Sequence, residues 1–387
     1  MKKQLGMLLF FVLVLAIYGL VNLYIYKQSG PIFALGNPVG KFLKIIFIAL
    51  VISYPAGRLL ERIIPSELTN YIIKAGSLWL GAMVYLFLFL LFIHLIRLTI
   101  PLLGQINICI HTDKSLVHKK IIIATYLVTA IVLLGGYINA RHPKINRIPL
   151  VTHKNIEGYP TLRVGAASDI HLGVLMSNGR LKQFVSMMNL LNPDIILLVG
   201  DIFDEDIGFV VKNDMGKLLS ELKAPLGVYA VTGNHEYIGG VEPPVEYLEK
   251  HGVKVLRDSA IVVNGIFNLV GREDRQAKMM GGIDRKPLRD LTRDLDTNKL
   301  TILLDHQPFR LSEAVENAID LQISGHTHHG QLFPFNLITS AMFEVSKGLK
   351  RIDGTTIYVS NGFGTWGPPI RIGNKPEIIL FEIAEGK

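Results

Sequence analysis

Ile195-Ile196-Leu197-Leu198-Val199-Gly200-Asp201 is the stretch on which the fold turns. Five consecutive apolar residues bounded by a turn signal suit a short strand buried on both faces, the kind a parallel sheet uses. The Gly-Asp that closes the run sets a carboxylate just beyond the strand's carboxyl end. The same grammar recurs on either side. Residues 162–166 are followed by Asp169 and His171, and residues 228–231 by Gly233-Asn234-His235-Glu236. Residues 301–304 are followed by His306, residues 321–323 by Gly325-His326-Thr327-His328, and 356–359 form a sixth apolar run. Amphipathic stretches at 179–191, 213–222, 243–251 and 311–317 predict helices between these strands, giving an α/β chain. Residues 253–270 predict paired strands that turn at Asn264-Gly265.

In open α/β sheets the loops at the carboxyl ends of strands converge on one crevice. Five such loops bring imidazoles, two carboxylates and an amide to a single place. Taken singly the signals are weak, since an Asp-x-His pair arises by chance and Gly-Asp after a strand is usually a turn. Their recurrence in order is different: five of the twelve histidines fall in these loops, where packing alone gives them no reason to gather. Mixed imidazole and carboxylate donors suit Mn, Fe or Zn rather than Ca, and a set so rich in nitrogen is unlike a Mg site.

The order Asp-x-His, Gly-Asp, Gly-Asn-His-Glu, His, Gly-His-x-His resembles the calcineurin-like metallophosphoesterase superfamily over residues 162–383. The closing segment, with Ser360-Asn361-Gly362 and Trp366-Gly367-Pro368-Pro369-Ile370-Arg371, resembles that superfamily's bacterial membrane-associated branch. The resemblance implies a four-layer α-β-β-α sandwich that hydrolyses a phosphomonoester, phosphodiester or pyrophosphate with a hydroxide bridging two divalent metals. Asp169, His171 and His328 would hold one metal, Asn234, His306 and His326 the other, and Asp201 would bridge them. His235 would face substrate as general acid or electrostatic stabiliser. Glu236 and Asp204 are expected to orient ligand imidazoles or loop amides. His329 stands where the branch suggests glycine; it either narrows the site or, as the plainer expectation, is an exposed loop residue. Arg272, Arg275, Lys278 and Arg371 are candidate phosphate contacts, because Arg donates in pairs, although solvent-facing charge is the ordinary role of each. The run Leu332, Phe333, Phe335, Leu337, Ile338, Met342, Phe343 is core or an apolar rim facing lipid.

The rest of the chain reads differently. Apolar runs near 5–26, 43–54, 75–96 and 121–137 approach the ~20 residues a bilayer demands, so residues 1–140 predict an anchor of about four helices. The second run is the weakest, being crowded by Lys44 and Pro55. Residues 141–160, with three prolines, predict a linker, and 161–387 the catalytic domain. Up to Lys154 there are 16 Lys and Arg against 3 acids, leaving 24 against 29 in the remainder of the 40 and 32. The basic excess therefore belongs to the membrane half, which disfavours nucleic acid as a partner. Lys and Arg flanking the runs number nine on the N-terminal side and seven on the other, so four spans place the catalytic domain in the cytoplasm at the cell membrane. The spans carry no buried acid or base of the kind a transporter needs. One cysteine, Cys109, excludes an internal disulfide. Tethering points to a lipid-linked or envelope-precursor phosphoester; the competing expectations are an enzyme of soluble nucleotides or phosphoproteins, and a membrane scaffold with a relic fold.

Overall fold

The structure is a computed structural model that describes residues 2–33, 38–99 and 114–386. Cys109 lies outside them. The chain divides into two compact units, residues 1–136 and 137–387.

Among the described residues of the apolar region, three helices are long and apolar enough to cross a membrane: Pro38–Ile63, Glu67–Thr99 and Leu116–Ala140. The helix Lys2–Gln28 carries the first apolar run, of which Val12–Gln28 counts as a shorter apolar helix and the remainder lies partly outside the described side chains. The second run continues straight through Pro55 as part of a 26-residue helix. Proline deprives the carbonyl four residues back of its N–H donor, and here the Tyr18 hydroxyl donates to that carbonyl, Val51 O, at 2.6 Å. The helices Pro38–Ile63 and Glu67–Thr99 meet at Gly76, where a Cβ would fall 2.5 Å from the Tyr54 backbone.

The second unit is built from two six-stranded sheets. One runs in the order β1 (Lys144–Thr152), β12 (Glu377–Glu385), β2 (Thr161–Ala167), β3 (Ile195–Val199), β4 (Val228–Val231), β5 (Val253–Val255). The other runs β10 (Gly348–Ile352), β11 (Thr355–Val359), β9 (Leu321–Ser324), β8 (Thr301–Leu304), β7 (Phe267–Gly271), β6 (Ser259–Val263). The side-chain period of two decides the layers. Ile195, Leu197 and Val199 pack between the sheets with Ile302, Leu304, Leu321 and Ile323. Ile196 and Leu198 instead meet Leu181, Phe184 and Met188 of the helix Asn178–Leu190. On the far face Leu303, Ile357 and Val359 pack against Leu311 and Ala314. The result is a four-layer α-β-β-α sandwich. The strand ends that carry the chemistry, those of β2, β3, β4, β8 and β9, belong to parallel pairs and so share one edge of the fold.

Residues 141–160 differ from the linker expected of them. They hold β1, which pairs in parallel with β12 from Lys144↔Glu377 to Thr152↔Glu385. Pro149, one of the prolines that suggested a linker, sits on an edge strand, where the missing N–H costs no ladder bond. The expected hairpin forms, Asn264 and Gly265 both having positive φ (47° and 78°) and Ile266 N donating to Val263 O at 2.9 Å.

Candidate metal centre

Each loop beyond a site-bearing strand turns sharply. Asp169, His171, Asp201, His326 and His328 have φ of 51°, 52°, 50°, 71° and 45°, so five of the seven expected ligands occupy the left-handed region. Side chains rarely adopt it without compensation, and the compensation here is a dense set of bonds around the strained backbone. Asp169 accepts from His326 N at 2.9 and 3.1 Å and from the Ser168 hydroxyl. Asp201 Oδ1 accepts from His235 N at 2.9 Å. Close approach fixes the glycines of the motifs as well. A Cβ on Gly200 would lie 2.5 Å from His306 Nδ1, and one on Gly233 2.2 Å from Asp201 Oδ1.

Two donor clusters result, with ligand atoms all within 4.8 Å of one another: Asp169, His171 and His328, and Asp201, His306 and His326. His171 Nε2 faces His328 Nε2 at 3.0 Å. Asn234 Oδ1 joins the second cluster, 2.7 Å from His326 Nδ1. His306 Nδ1 bonds to Val199 O at 2.8 Å, which turns Nε2 toward Asp201 Oδ2 at 3.1 Å. A third cluster places Asp204 Oδ1 4.0 Å from His171 Nδ1 and 3.7 Å from His235 Nδ1.

Electrostatics suit cations. Burial, with the neighbouring His235, lowers His171 to about 3; burial, with His306, lowers His326 to about 4. Burial and the Arg371 guanidinium hold His328 well below the usual imidazole range. These rings are neutral and able to donate lone pairs at physiological pH. Burial alone would lower His306, but the Asp201, Asp169 and Asp274 carboxylates hold it well above its ordinary value. The donors fit a pair of divalent cations on the structure's own terms: His306 Nε2 is buried and makes no hydrogen bond although it faces Asp201 Oδ2 at 3.1 Å, and the two clusters together gather four imidazoles and two carboxylates.

The supporting residues fall into place around the clusters. Glu236 accepts four backbone N–H groups, those of Asp201 (3.1 Å), Ile202 (2.8 Å), Phe203 (3.0 Å) and Gly233 (2.7 Å), and so ties the β3 loop to the β4 loop. His235 presents its ring edge to His171 and to Trp366, at centroid separations of 4.6 and 5.8 Å.

Several expected substrate contacts lie elsewhere. Arg371 is wholly buried and donates to Asn361 O (2.7 Å), Gly364 O (2.5 Å) and His328 Nδ1 (3.0 Å), so it braces the last histidine. Arg272 is also buried, bridging Asp305 and Glu313 at 3.2 and 2.8 Å. The Arg275 guanidinium covers Phe309 at 4.8 Å, and Lys278, exposed, pairs with Asp284 at 2.7 Å. His329 is buried at 6% exposure, not an exposed loop residue, and bonds to Ser346 Oγ at 3.0 Å. A left-handed φ of 45° turns its ring away from the loop's outer side into that contact.

Sequence reasoning gave no role to Trp366, Gln331 or Asn374. Gln331 clamps the Trp366 loop, accepting from Trp366 N at 2.9 Å and donating to Trp366 O and Pro368 O. Asn374 donates to His328 O and His329 O at 3.0 and 3.2 Å. A tryptophan set between Gly364 and Gly367 is the one signal in the sequence that pointed there.

A calcineurin-like phosphoesterase family model matches residues 162–330. The chain is 34% identical to an uncharacterized metallophosphoesterase of Aquifex aeolicus, over 65% of this chain and 97% of that one. It is 30% identical to an uncharacterized metallophosphoesterase of Campylobacter jejuni over 97% and 98% of the two chains. A Danio rerio transmembrane protein with metallophosphoesterase domain is 35% identical over 65% of this chain and 60% of its own length.

Proposed function

The chain belongs to the calcineurin-like metallophosphoesterases, metal-dependent hydrolases of phosphoric esters, and on that premise we propose that Asp169, His171 and His328 hold one divalent cation, Asn234, His306 and His326 a second, with Asp201 shared between them. The observation that carries this is the buried His306 Nε2, which makes no hydrogen bond and faces Asp201 Oδ2 at 3.1 Å within one donor cluster. Bound cations of this kind polarise a phosphoryl oxygen and make water a nucleophile near neutral pH. Mn, Fe and Zn fit the donor set.

The chain's own groups do the rest. Val199 O fixes the His306 tautomer by accepting from Nδ1, leaving Nε2 as the donor atom. Glu236 and Arg371 hold the loops of Asp201 and His328 rigid. His235, beside the clusters but outside the ligand set, supplies a proton to the leaving oxygen or stabilises its charge, with Asp204 facing its Nδ1.

The three long apolar helices anchor the enzyme in the cell membrane, and the substrate is a phosphoester or pyrophosphate carried by a lipid or an envelope precursor. With the first apolar helix also spanning, both the N-terminus and the catalytic unit face the cytoplasm, where the larger share of flanking Lys and Arg lies. A reporter fused at the C-terminus reads that orientation directly. Asp201→Asn is the test of the chemistry: assayed against model monoesters, diesters and UDP-linked lipids, it should lose at least about a hundredfold in rate while membrane insertion is unchanged. Retained activity would place the chemistry elsewhere. Activity confined to soluble esters would remove the lipid substrate and keep the hydrolase.

A further inference from the structure

The segment 333–342 leaves its apolar side chains in water. In the helix Phe335–Met342 none of the eight residues is buried. Phe333, Leu337, Ile338 and Met342 are exposed by half or more of their surface. A cluster of this size beside a functional site is unusual for a surface that meets only water. Its neighbourhood identifies what meets it.

The strip of chain just before this helix pairs with the Arg371–Ile372 segment, Phe333 N donating to Ile372 O at 2.8 Å and Ile372 N to Gln331 O at 3.0 Å. That same segment is bonded to the last turn of the apolar helix Leu116–Ala140. Asn139 Nδ2 donates to Arg371 O at 2.9 Å and to Asn374 O at 2.7 Å. Arg180 donates to Ala140 O at 2.8 Å and Arg141 O at 3.1 Å, holding the turn from its other side. Tyr137 lies in this turn with the Arg141 guanidinium 4.1 Å over its ring, an aromatic and basic pair of the sort found where a span leaves the hydrocarbon for the headgroups. Tyr137, Asn139 and Arg141 belong to the same compact unit as Phe333, and the segment that Asn139 bonds is the one that pairs with Phe333.

The helix also walls the metal centre. Phe343, which follows it, sets its ring 6.0 Å from His326, and Ser340 Oγ lies 3.3 Å from Ser346 Oγ, the partner of His329. Trp366, held by Gln331, stands half-exposed beside His235.

We infer that the apolar face of residues 333–342 is seated in the bilayer surface, so that the mouth of the metal centre opens onto the headgroup layer and takes its phosphoester from a lipid. Short apolar faces of this kind sink ~5–10 Å into the boundary between headgroups and acyl chains. The inference rests on the membrane anchoring proposed above.

The full chain carrying Cys109→Ser and either Leu337→Cys or Leu190→Cys, each labelled with an environment-sensitive fluorophore, tests it in phosphatidylcholine vesicles containing phosphatidylglycerol and a spin-labelled lipid. Leu190 is an exposed leucine at the opposite end of the fold, where β3 begins, so neither substitution threatens folding. The label at Leu337 should be quenched about threefold more strongly than that at Leu190, as burial below the headgroups requires. The same contrast in the Asp201→Asn background shows that docking does not depend on hydrolysis. Equal quenching at the two positions overturns the inference, including the case in which Leu337 labels cross-link to a second copy of the chain. Failure of both proteins to float with the vesicles overturns the anchoring and the inference together, and hydrolysis of a soluble ester by the same preparation then shows that the metal centre survives.

Discussion

Glu236 is the residue on which the geometry of the loop carrying Asp201 depends. Its two oxygens take four backbone N–H groups from two loops, and burial with the adjacent Asp201 pushes its carboxyl up to about 7 while those donors favour the charged form. Glu236→Gln replaces one acceptor oxygen by a donor and leaves two of the N–H groups facing it. At ~1–3 kcal/mol for each buried donor left unmade, the variant should lose about 2–6 kcal/mol of stability. Urea denaturation measures this, and bound metal should fall with it as the β3 loop shifts. A midpoint unchanged from the parent would show that water replaces the carboxylate. Arg371 is of the same kind, its guanidinium bonded to three main-chain carbonyls and to His328. Arg371→Met strands those carbonyls and should destabilise by at least about 3 kcal/mol, with the cost read in folding before it is read in substrate affinity. From the sequence Arg371 was a candidate phosphate contact with solvent-facing charge as its ordinary role, because a guanidinium near glycines has the same spelling in either role.

Among elements, the hairpin between β6 and β7 separates conformational cost from chemistry. Gly265 has φ of 78° and open space where a Cβ would go. Gly265→Ala should therefore cost about 1–2 kcal/mol, the penalty of a left-handed L-residue, with hydrolysis of a model ester unchanged because the turn lies at the strand ends remote from the metal loops. A loss much larger than this would mean the turn packs against something. The strand runs and the Asn-Gly turn were legible because period and turn chemistry are local properties. β1 was not, since a proline-containing edge strand owes its conformation to the register of its partner 233 residues on, Lys144 with Glu377. β12 likewise holds β1 and β2 together from the far end of the chain, with Ile379, Phe381 and Ile383 in the core.

For the whole molecule the consequence is linkage between metal and folding. Cations that bind the folded state alone stabilise it by about 2.7 kcal/mol per site at a hundredfold excess over Kd. Chelation should lower the thermal midpoint of the catalytic unit and abolish hydrolysis, and Mn, Fe or Zn should restore both. Loss of neither would remove the metal centre from the account. Before any folding, the order of residue types determined the parallel strands, the loops at their ends, the identity of the donors and the presence of apolar helices, because each is written in a short window of chain. Tertiary structure alone decided which donors share a cluster, that His329 turns inward, that Arg371 serves His328, and that the last turn of a membrane-length helix bonds to the active-site segment. Those facts depend on contacts between residues tens to hundreds of positions apart, and such contacts are set by packing and register, which no local pattern encodes.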